Sequence, residues 1–209
     1  MGAVRRFPAK VTTDEGSSLL DQRPLGISCA AAWASDSGES QTWHGVDASG
    51  RPAPQLSRDE AAALVADLTR RVAEGYTLVT WNGLGFDLDV LAEESGQHAA
   101  CAALALEHVD MMFQVVCSQG HFLGLQKAAE GMDLPGKLSG VSGAEVPRLW
   151  AAGEHERVLA YNVQDVAVTA SLAVAAEAAG GLTWLTRKGT RARMALPDGW
   201  LSVRAAAAL

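Results

Sequence analysis

Residues 79–91 (VTWNGLGFDLDVL) place a carboxylate where it could do chemistry. An apolar strand is predicted to lead into Asn82 and a glycine-rich turn. Asp87 then falls in the first turn of a helix, where the helix dipole favours a negative charge. A carboxylate at such a strand–turn–helix junction can reach a cation above the edge of a sheet. The alternative is that Asp87 only caps the helix.

A second stretch, residues 161–165 (YNVQD), pairs a phenol with a carboxylate. Tyr161 and Asp165 are four residues apart and therefore share one face of a helix. Their neighbours Leu159, Val166 and Val168 are apolar, so this face is expected to lie partly against the core. A carboxylate in that setting needs a partner, and a metal ion is one. A buried hydrogen bond between the tyrosine and the aspartate is the alternative.

A third acidic stretch lies near the N-terminus, at residues 11–15 (VTTDE). Side chains alternate along a strand, so carboxylates two residues apart face the same side. Asp14 and Glu15 are adjacent and would face opposite sides, unless a β-bulge turned Asp14 round. A solvated loop is the alternative for this pair.

The elements that must position these residues follow from local patterns. Ser57 and Glu60 form an S-x-x-E capping box, which predicts the start of a helix that runs to about residue 74. Strands are predicted at 25–34, 41–46 and 76–81, the first two as a hairpin. Further helices are predicted at 86–94, 99–107, 123–131 and 158–179, the last ended by Gly180 and Gly181. This alternation predicts one α/β domain over residues 1–209, with a C-terminal hairpin and tail at about 182–209.

Composition limits the classes of function. The chain has 209 residues, of which 48% are hydrophobic, so a sizeable core is expected. Its net charge of −7 disfavours a protein that coats nucleic acid by charge alone. It does not exclude a nucleic-acid enzyme whose carboxylates hold divalent cations, because those ions reverse the local field.

The cysteines and apolar runs bear on location. Three widely spaced cysteines without metal-ligand spacing argue against a disulfide framework and a thiolate zinc site. They favour a reducing compartment, and we expect the cytoplasm. We also expect no membrane association, because no apolar run approaches the roughly 18–20 residues that span a bilayer.

Two of the motifs resemble those of a known family. Residues 82–91 fit N-x-x-x-F-D-x-x-x-L and residues 161–165 fit Y-x-x-x-D. Both motifs are similar to those of the RNase H-like DEDD 3′–5′ exonucleases, in their tyrosine-type branch, a superfamily that includes polymerase proofreading domains. The resemblance covers roughly residues 10–180. It implies an RNase H-like α/β fold, with a central mixed five-stranded sheet flanked by helices.

The resemblance also implies an activity and a set of site residues. The expected reaction is metal-dependent hydrolysis of phosphodiester bonds at the 3′ end of DNA or RNA. Two Mg²⁺ or Mn²⁺ ions are expected as cofactors, with nucleic acid as the partner. The implied metal ligands are Asp14, Glu15, Asp87 and Asp165. Tyr161 would orient the attacking water.

Substrate contacts are expected from Asn82, Phe86, His108 and Lys137. Two of these have simpler alternatives: His108 with Asp110 as a structural pair, and Lys137 as an ordinary surface lysine. A basic segment at residues 187–193 could touch phosphates or form a solvated turn.

The first motif departs from the family pattern. The family has D-x-E, whereas Thr13 takes the place of the aspartate when Glu15 takes that of the glutamate. A neutral threonine cannot replace that charge. The alternative function is therefore a catalytically impaired descendant that binds nucleic acid or acts as a scaffold. A further alternative is an unrelated α/β protein with chance matches to the motifs.

Overall fold

The computed structural model describes residues 24–135 and 145–209. Thr13, Asp14, Glu15 and Lys137 lie outside these ranges, so the predictions for them stay predictions. The strands are β1 (Cys29–Trp33), β2 (Ser40–His44), β3 (Val79–Thr80), β4 (Val109–Asp110), β5 (Gly181–Leu185) and β6 (Arg191–Ala195). The helices are α1 (Arg58–Ala73), α2 (Leu88–Ser95), α3 (His98–Glu107), α4 (Met111–Gln119), α5 (Leu125–Gly131), α6 (Val146–Ala151), α7 (His155–Ala178) and α8 (Val203–Ala206).

Both predicted hairpins are confirmed. β1 pairs antiparallel with β2, from Cys29 opposite His44 to Trp33 opposite Ser40. β5 pairs antiparallel with β6 around a turn at residues 186–190. In each case turn-forming residues separate two β-prone runs, so the signal is local.

Helix α1 begins as the capping box predicts. The Ser57 hydroxyl accepts a hydrogen bond from the backbone N–H of Glu60, and the Glu60 carboxylate accepts one from the Ser57 N–H. Together they satisfy two N–H groups that the first helical turn leaves without partners. The buried face of α1 carries Leu64, Val65 and Leu68.

The prediction of a central five-stranded sheet is wrong for the described residues, whose strands pair only in twos. The parallel pair β3–β4 has two residues in each strand. It ends early because Asn82 adopts a left-handed conformation, with φ of 69°, and because the Asp110 side chain caps α4. Both strands leave the ladder at the same level, and of the strand predicted over 76–81 only Val79 and Thr80 remain.

Helix α7 lies at the centre of the packing. It contacts β1, β3 and β5, and it carries the second of the two motifs. One apolar cluster joins α7 to α4, α5 and the C-terminal hairpin. A second cluster joins α1, α2 and α3 around Leu78.

Helix α7 is also long and apolar enough to cross a membrane by length and composition. No such run was expected from the sequence. However, 56% of its most apolar window is buried against the rest of the protein. This burial is what a core helix shows.

Candidate functional site

Tyr161 and Asp165 lie on the buried face of α7. Tyr161 is 1% exposed and Asp165 is 0% exposed. Tyr161 packs in a small cluster with Cys29 of β1 and Trp150 of α6. One turn further along, Val166 packs against Ala31 of β1. Strand β1 therefore holds the helical face that carries the Y-x-x-x-D motif.

A polar contact joins the same two elements. The Asn162 amide nitrogen donates a hydrogen bond to the Cys29 sulfur at 3.6 Å. Burial raises the pKa of the Cys29 thiol to about 12, and this hydrogen bond offsets only part of the rise. The thiol is therefore neutral and is not a nucleophile at physiological pH. The Asn162 side-chain oxygen is fully buried and accepts no hydrogen bond, which leaves a hydrogen-bond acceptor without a partner next to Tyr161 in the sequence.

Asp87 lies on a π-helical turn, Gly83–Asp87, between β3 and α2. It is 8% exposed. The turn depends on small residues: a Cβ at Gly83 would collide with the Thr80 side chain, and one at Gly85 would lie 2.8 Å from Asn82 Oδ1. The sequence predicted this strand–turn–helix junction, and π-helical turns often occur at functional sites. Asp89, two residues on, is exposed.

Asp110 fixes this turn from the neighbouring strand. Its Oδ1 accepts hydrogen bonds from the backbone N–H of Asn82 at 2.9 Å and of Phe113 at 3.1 Å. Its Oδ2 accepts one from the Leu84 N–H at 2.9 Å. One buried carboxylate thus ties the turn that carries Asp87 to the start of α4. From the sequence, Asp110 was predicted only as a companion of His108. The available signal was an aspartate directly before a helical apolar run.

His108 has a structural role in this arrangement. It is 2% exposed, and its ring nitrogens contact the Ala105 carbonyl at 2.8 Å and Thr80 Oγ1 at 3.0 Å. Burial lowers the pKa of the imidazole, against the opposing effects of the Ala105 hydrogen bond and the Asp110 charge. These contacts are to Ala105 and Thr80 and not to Asp110, the partner that the sequence suggested, and the substrate contact of His108 stays a prediction. Thr80 in turn accepts a hydrogen bond from the Gly83 N–H at 3.1 Å.

The packing of α7 relates the two motifs to each other. Asp165 lies on the helix that contacts β3, and β3 leads directly into the turn that carries Asp87. Phe86, also on that turn, is half-buried and packs against the α1–α3 cluster. Asn82 is half-buried at the start of the turn.

The described donors fit a hard divalent cation by type and by burial. Asp87 and Asp165 are both buried carboxylates, and oxygen donors are those that Mg²⁺ and Mn²⁺ prefer. Within residues 24–135 and 145–209, no group of three or more His, Cys, Asp or Glu side chains is placed to hold a metal. Asp87 and Asp165 are the two predicted ligands within those ranges, and Asp14 and Glu15 lie outside them.

Comparison with known families identifies a superfamily. A family model of the RNase H superfamily (RNase_H_2) matches residues 50–177, which is more than half of the chain. The matched region contains Asp87, Tyr161 and Asp165. The chain belongs to the RNase H superfamily. No curated protein matches it.

Proposed function

We propose that this protein is a metal-dependent nuclease that removes nucleotides from the 3′ end of DNA or RNA. The observation that supports it most directly is the burial of two motif carboxylates, Asp87 and Asp165, on a turn and a helix joined through β3. Both fall within the region that matches the RNase H superfamily. The restriction to 3′ ends rests on the resemblance of the two motifs to tyrosine-type exonucleases.

In this proposal, Asp87 and Asp165 hold divalent cations together with Asp14 and Glu15. Such ions, when bound, neutralise charge on the scissile phosphate and lower the pKa of a water molecule. The protein contributes fixed positions for the carboxylates: Asp110 and Thr80 hold the turn that carries Asp87, and β1 holds the face of α7 that carries Asp165.

The remaining site residues have separate roles in the proposal. Tyr161 orients the attacking water through its phenol. Asn82 and Phe86 lie on the turn that carries Asp87, where they can contact the terminal nucleotide. Lys137 stays a proposed phosphate contact. His108 positions Thr80, and its substrate contact stays a proposal.

The test is an assay of labelled oligonucleotides with Mg²⁺ or Mn²⁺. Wild-type protein should shorten a 5′-labelled single strand one nucleotide at a time, and EDTA should stop the reaction. Asp87→Asn and Asp165→Asn should each lower the rate by at least about 10²-fold, the usual effect of removing one group that stabilises transition-state charge. Asp89→Asn removes an exposed carboxylate from the same segment and should retain the wild-type rate. Full activity of folded Asp165→Asn would refute the proposal.

A second candidate is favoured by Thr13, which stands where the family has a metal-binding aspartate. In this case the protein binds nucleic acid without cleaving it. The same assay separates the two: a binding protein retains the oligonucleotide in EDTA and in Mn²⁺ alike, yields no products, and is unaffected by Asp87→Asn.

A further inference from the structure

We infer that an aromatic and basic surface beside the proposed active site binds single-stranded nucleic acid. We call it the loop–hairpin surface. It consists of His121 and Phe122, in the loop between α4 and α5, and of Arg187 and Lys188, in the β5–β6 turn. The inference deepens the proposed function and rests on it for the direction of the strand. Binding itself can be tested without catalysis.

Phe122 is exposed to an unusual degree for its type. Its side chain is 78% exposed, the highest value among the large hydrophobic residues that the structure describes. Gly120, with φ of 73°, ends α4 just before it, and Gly124 follows it. Burial of a phenylalanine stabilises a fold by about 1.5–3 kcal/mol, and this residue gains little of that. An aromatic ring held outside the core is available to stack on a flat ligand.

The loop is anchored to the segment that leads into the turn carrying Asp87. The Trp81 indole N–H donates a hydrogen bond to the Leu123 carbonyl at 3.1 Å. Trp81 directly precedes Asn82, where the turn that carries Asp87 begins. Phe122 is therefore held next to a residue that is fixed to the end of β3.

The same loop contacts the C-terminal hairpin. The His121 ring meets the Trp184 ring edge-on, with centroids 6.0 Å apart. Trp184 lies on β5, three residues before Arg187, which is about 10 Å along an extended strand. The aromatic loop therefore packs on the strand that ends in the basic turn, within about 10 Å of it along the chain.

The hairpin concentrates positive charge in an acidic protein. Four of the 17 Lys and Arg residues fall within residues 187–193, whereas the chain carries a net charge of −7. Two of the four have partners: Arg191 pairs with Asp133 at 2.6 Å, and Arg193 donates to the Ala179 carbonyl at 2.7 Å. Arg187 and Lys188 are exposed and make no ion pair or hydrogen bond in the described structure.

This combination selects one kind of occupant. Exposed aromatic rings that stack on bases, together with cations that contact the backbone, are how proteins bind single strands without sequence preference. An acidic protein segment would use the two cations but would gain nothing specific from Phe122. A duplex keeps its bases stacked on each other and offers none to the ring. The charge and the ring together therefore favour a single strand.

The test measures binding in EDTA by fluorescence anisotropy, with a labelled single-stranded oligonucleotide of mixed sequence. Phe122→Ala should weaken binding by about five- to 150-fold, the range for loss of one base stack. The double variant Arg187→Gln/Lys188→Gln should also weaken it, and the slope of log K against log salt should fall by about 1.4 for two lost phosphate contacts. The control Arg51→Gln/Arg204→Gln removes two charges elsewhere and should bind as wild type does.

Two results would overturn the inference. One is wild-type affinity in both surface variants. The other is equal binding of a polyglutamate peptide that depends on the cations but not on Phe122, since this would indicate a general anion-binding surface. All substituted side chains are exposed, so an unchanged melting temperature should accompany each variant.

A short substrate separates this inference from the proposed function. A nitrophenyl ester of a single nucleotide has no flanking nucleotides to occupy the loop–hairpin surface. The surface variants should hydrolyse it at the wild-type rate, while Asp165→Asn should not. If the wild type hydrolyses neither the oligonucleotide nor the nitrophenyl ester, the proposed function fails. The binding assay then still tests whether the loop–hairpin surface binds a single strand. If the wild type cleaves both and the surface variants bind normally, only the inference fails.

Discussion

At the residue scale, Asp110 does more for the proposed site than its place outside both motifs suggests. Its two oxygens accept hydrogen bonds from three backbone N–H groups, two of them in the turn that leads to Asp87. A carboxylate that accepts several N–H donors in a buried site makes stronger hydrogen bonds than a neutral acceptor. The position of Asp87 therefore depends on a residue that need not touch the substrate.

Replacement of Asp110 tests this dependence. In Asp110→Asn, one acceptor oxygen becomes an N–H₂ group that faces backbone donors. We expect the free energy of unfolding to fall by about 1–3 kcal/mol, measured by urea denaturation. Activity should fall as well, because the turn loses an anchor. Asp198→Asn, at an exposed position, should change stability by less than about 0.5 kcal/mol. Unchanged stability and activity in Asp110→Asn would show that the turn holds its shape unaided.

His108 predicts a pH dependence of stability. Burial lowers the pKa of its ring below the ordinary value of 6.5. Below pH 6.5 the unfolded chain therefore binds a proton that the folded protein does not bind. The contribution of the neutral ring is present above pH 6.5 and is lost as the pH falls, at up to about 1.4 kcal/mol per pH unit. Urea unfolding between pH 7 and pH 5 should show this slope in the wild type and a smaller slope in His108→Gln. Parallel curves for the two proteins would contradict it.

At the element scale, helix α5 packs so closely against β5 that no side chain fits at Gly131. A Cβ on Gly131 would lie 2.6 Å from the backbone nitrogen of Trp184. Close packing of helix and strand backbones here requires glycine.

Gly131→Ala should force α5 away from β5 and destabilise the protein by about 1–3 kcal/mol or more, as overpacking does. Thermal unfolding measures the change. Gly124→Ala is the matched control, because nothing lies within 4 Å of a Cβ at that position. If both variants melt at the wild-type temperature, the packing of α5 on β5 is looser than described.

Local signals in the sequence predicted several elements and missed others. The capping box at Ser57 and the turn residues of the two hairpins act over a few positions, so α1 and the hairpins were predictable. Helix α4 was not predicted from the sequence, because Phe113 and the β-branched Val115 and Val116 have low helix propensity. Helix α6 (Val146–Ala151) was not among the predicted helices.

The sheet could not be predicted from periodicity. An apolar, β-prone run at 76–81 predicts a strand of six residues, yet only Val79 and Thr80 form a ladder. The C-terminal limit is set by Asp110, which is distant in sequence and draws Asn82 and Leu84 out of the strand direction. Such non-local hydrogen bonds leave no trace in a local pattern.

The residues of the candidate site were predictable, whereas the contacts that position them were not. Asp87 and Asp165 stand in motifs with fixed spacing, and both lie in the matched family region. The packing of α7 on β3, which relates the two, depends on the tertiary fold. The roles of Asp110 and Thr80 in fixing the turn also depend on contacts between distant segments.

At the scale of the whole molecule, the net charge opposes the binding of nucleic acid. A protein with a net charge of −7 repels a polyanion at long range. Divalent cations at the carboxylates and a local basic hairpin are two ways to reverse that field where the substrate lies. Both ways are open to this protein, and the first is the basis of the proposed function.

The most direct test is a titration of Mn²⁺ into the protein, with free Mn²⁺ measured by electron paramagnetic resonance. The wild type should remove Mn²⁺ from solution in proportion to protein concentration. Asp87→Asn and Asp165→Asn should leave most of it free, and Asp198→Asn should bind as the wild type does. Equal Mn²⁺ binding by the wild type and Asp165→Asn, or none by the wild type, would contradict the assignment of these carboxylates as metal ligands.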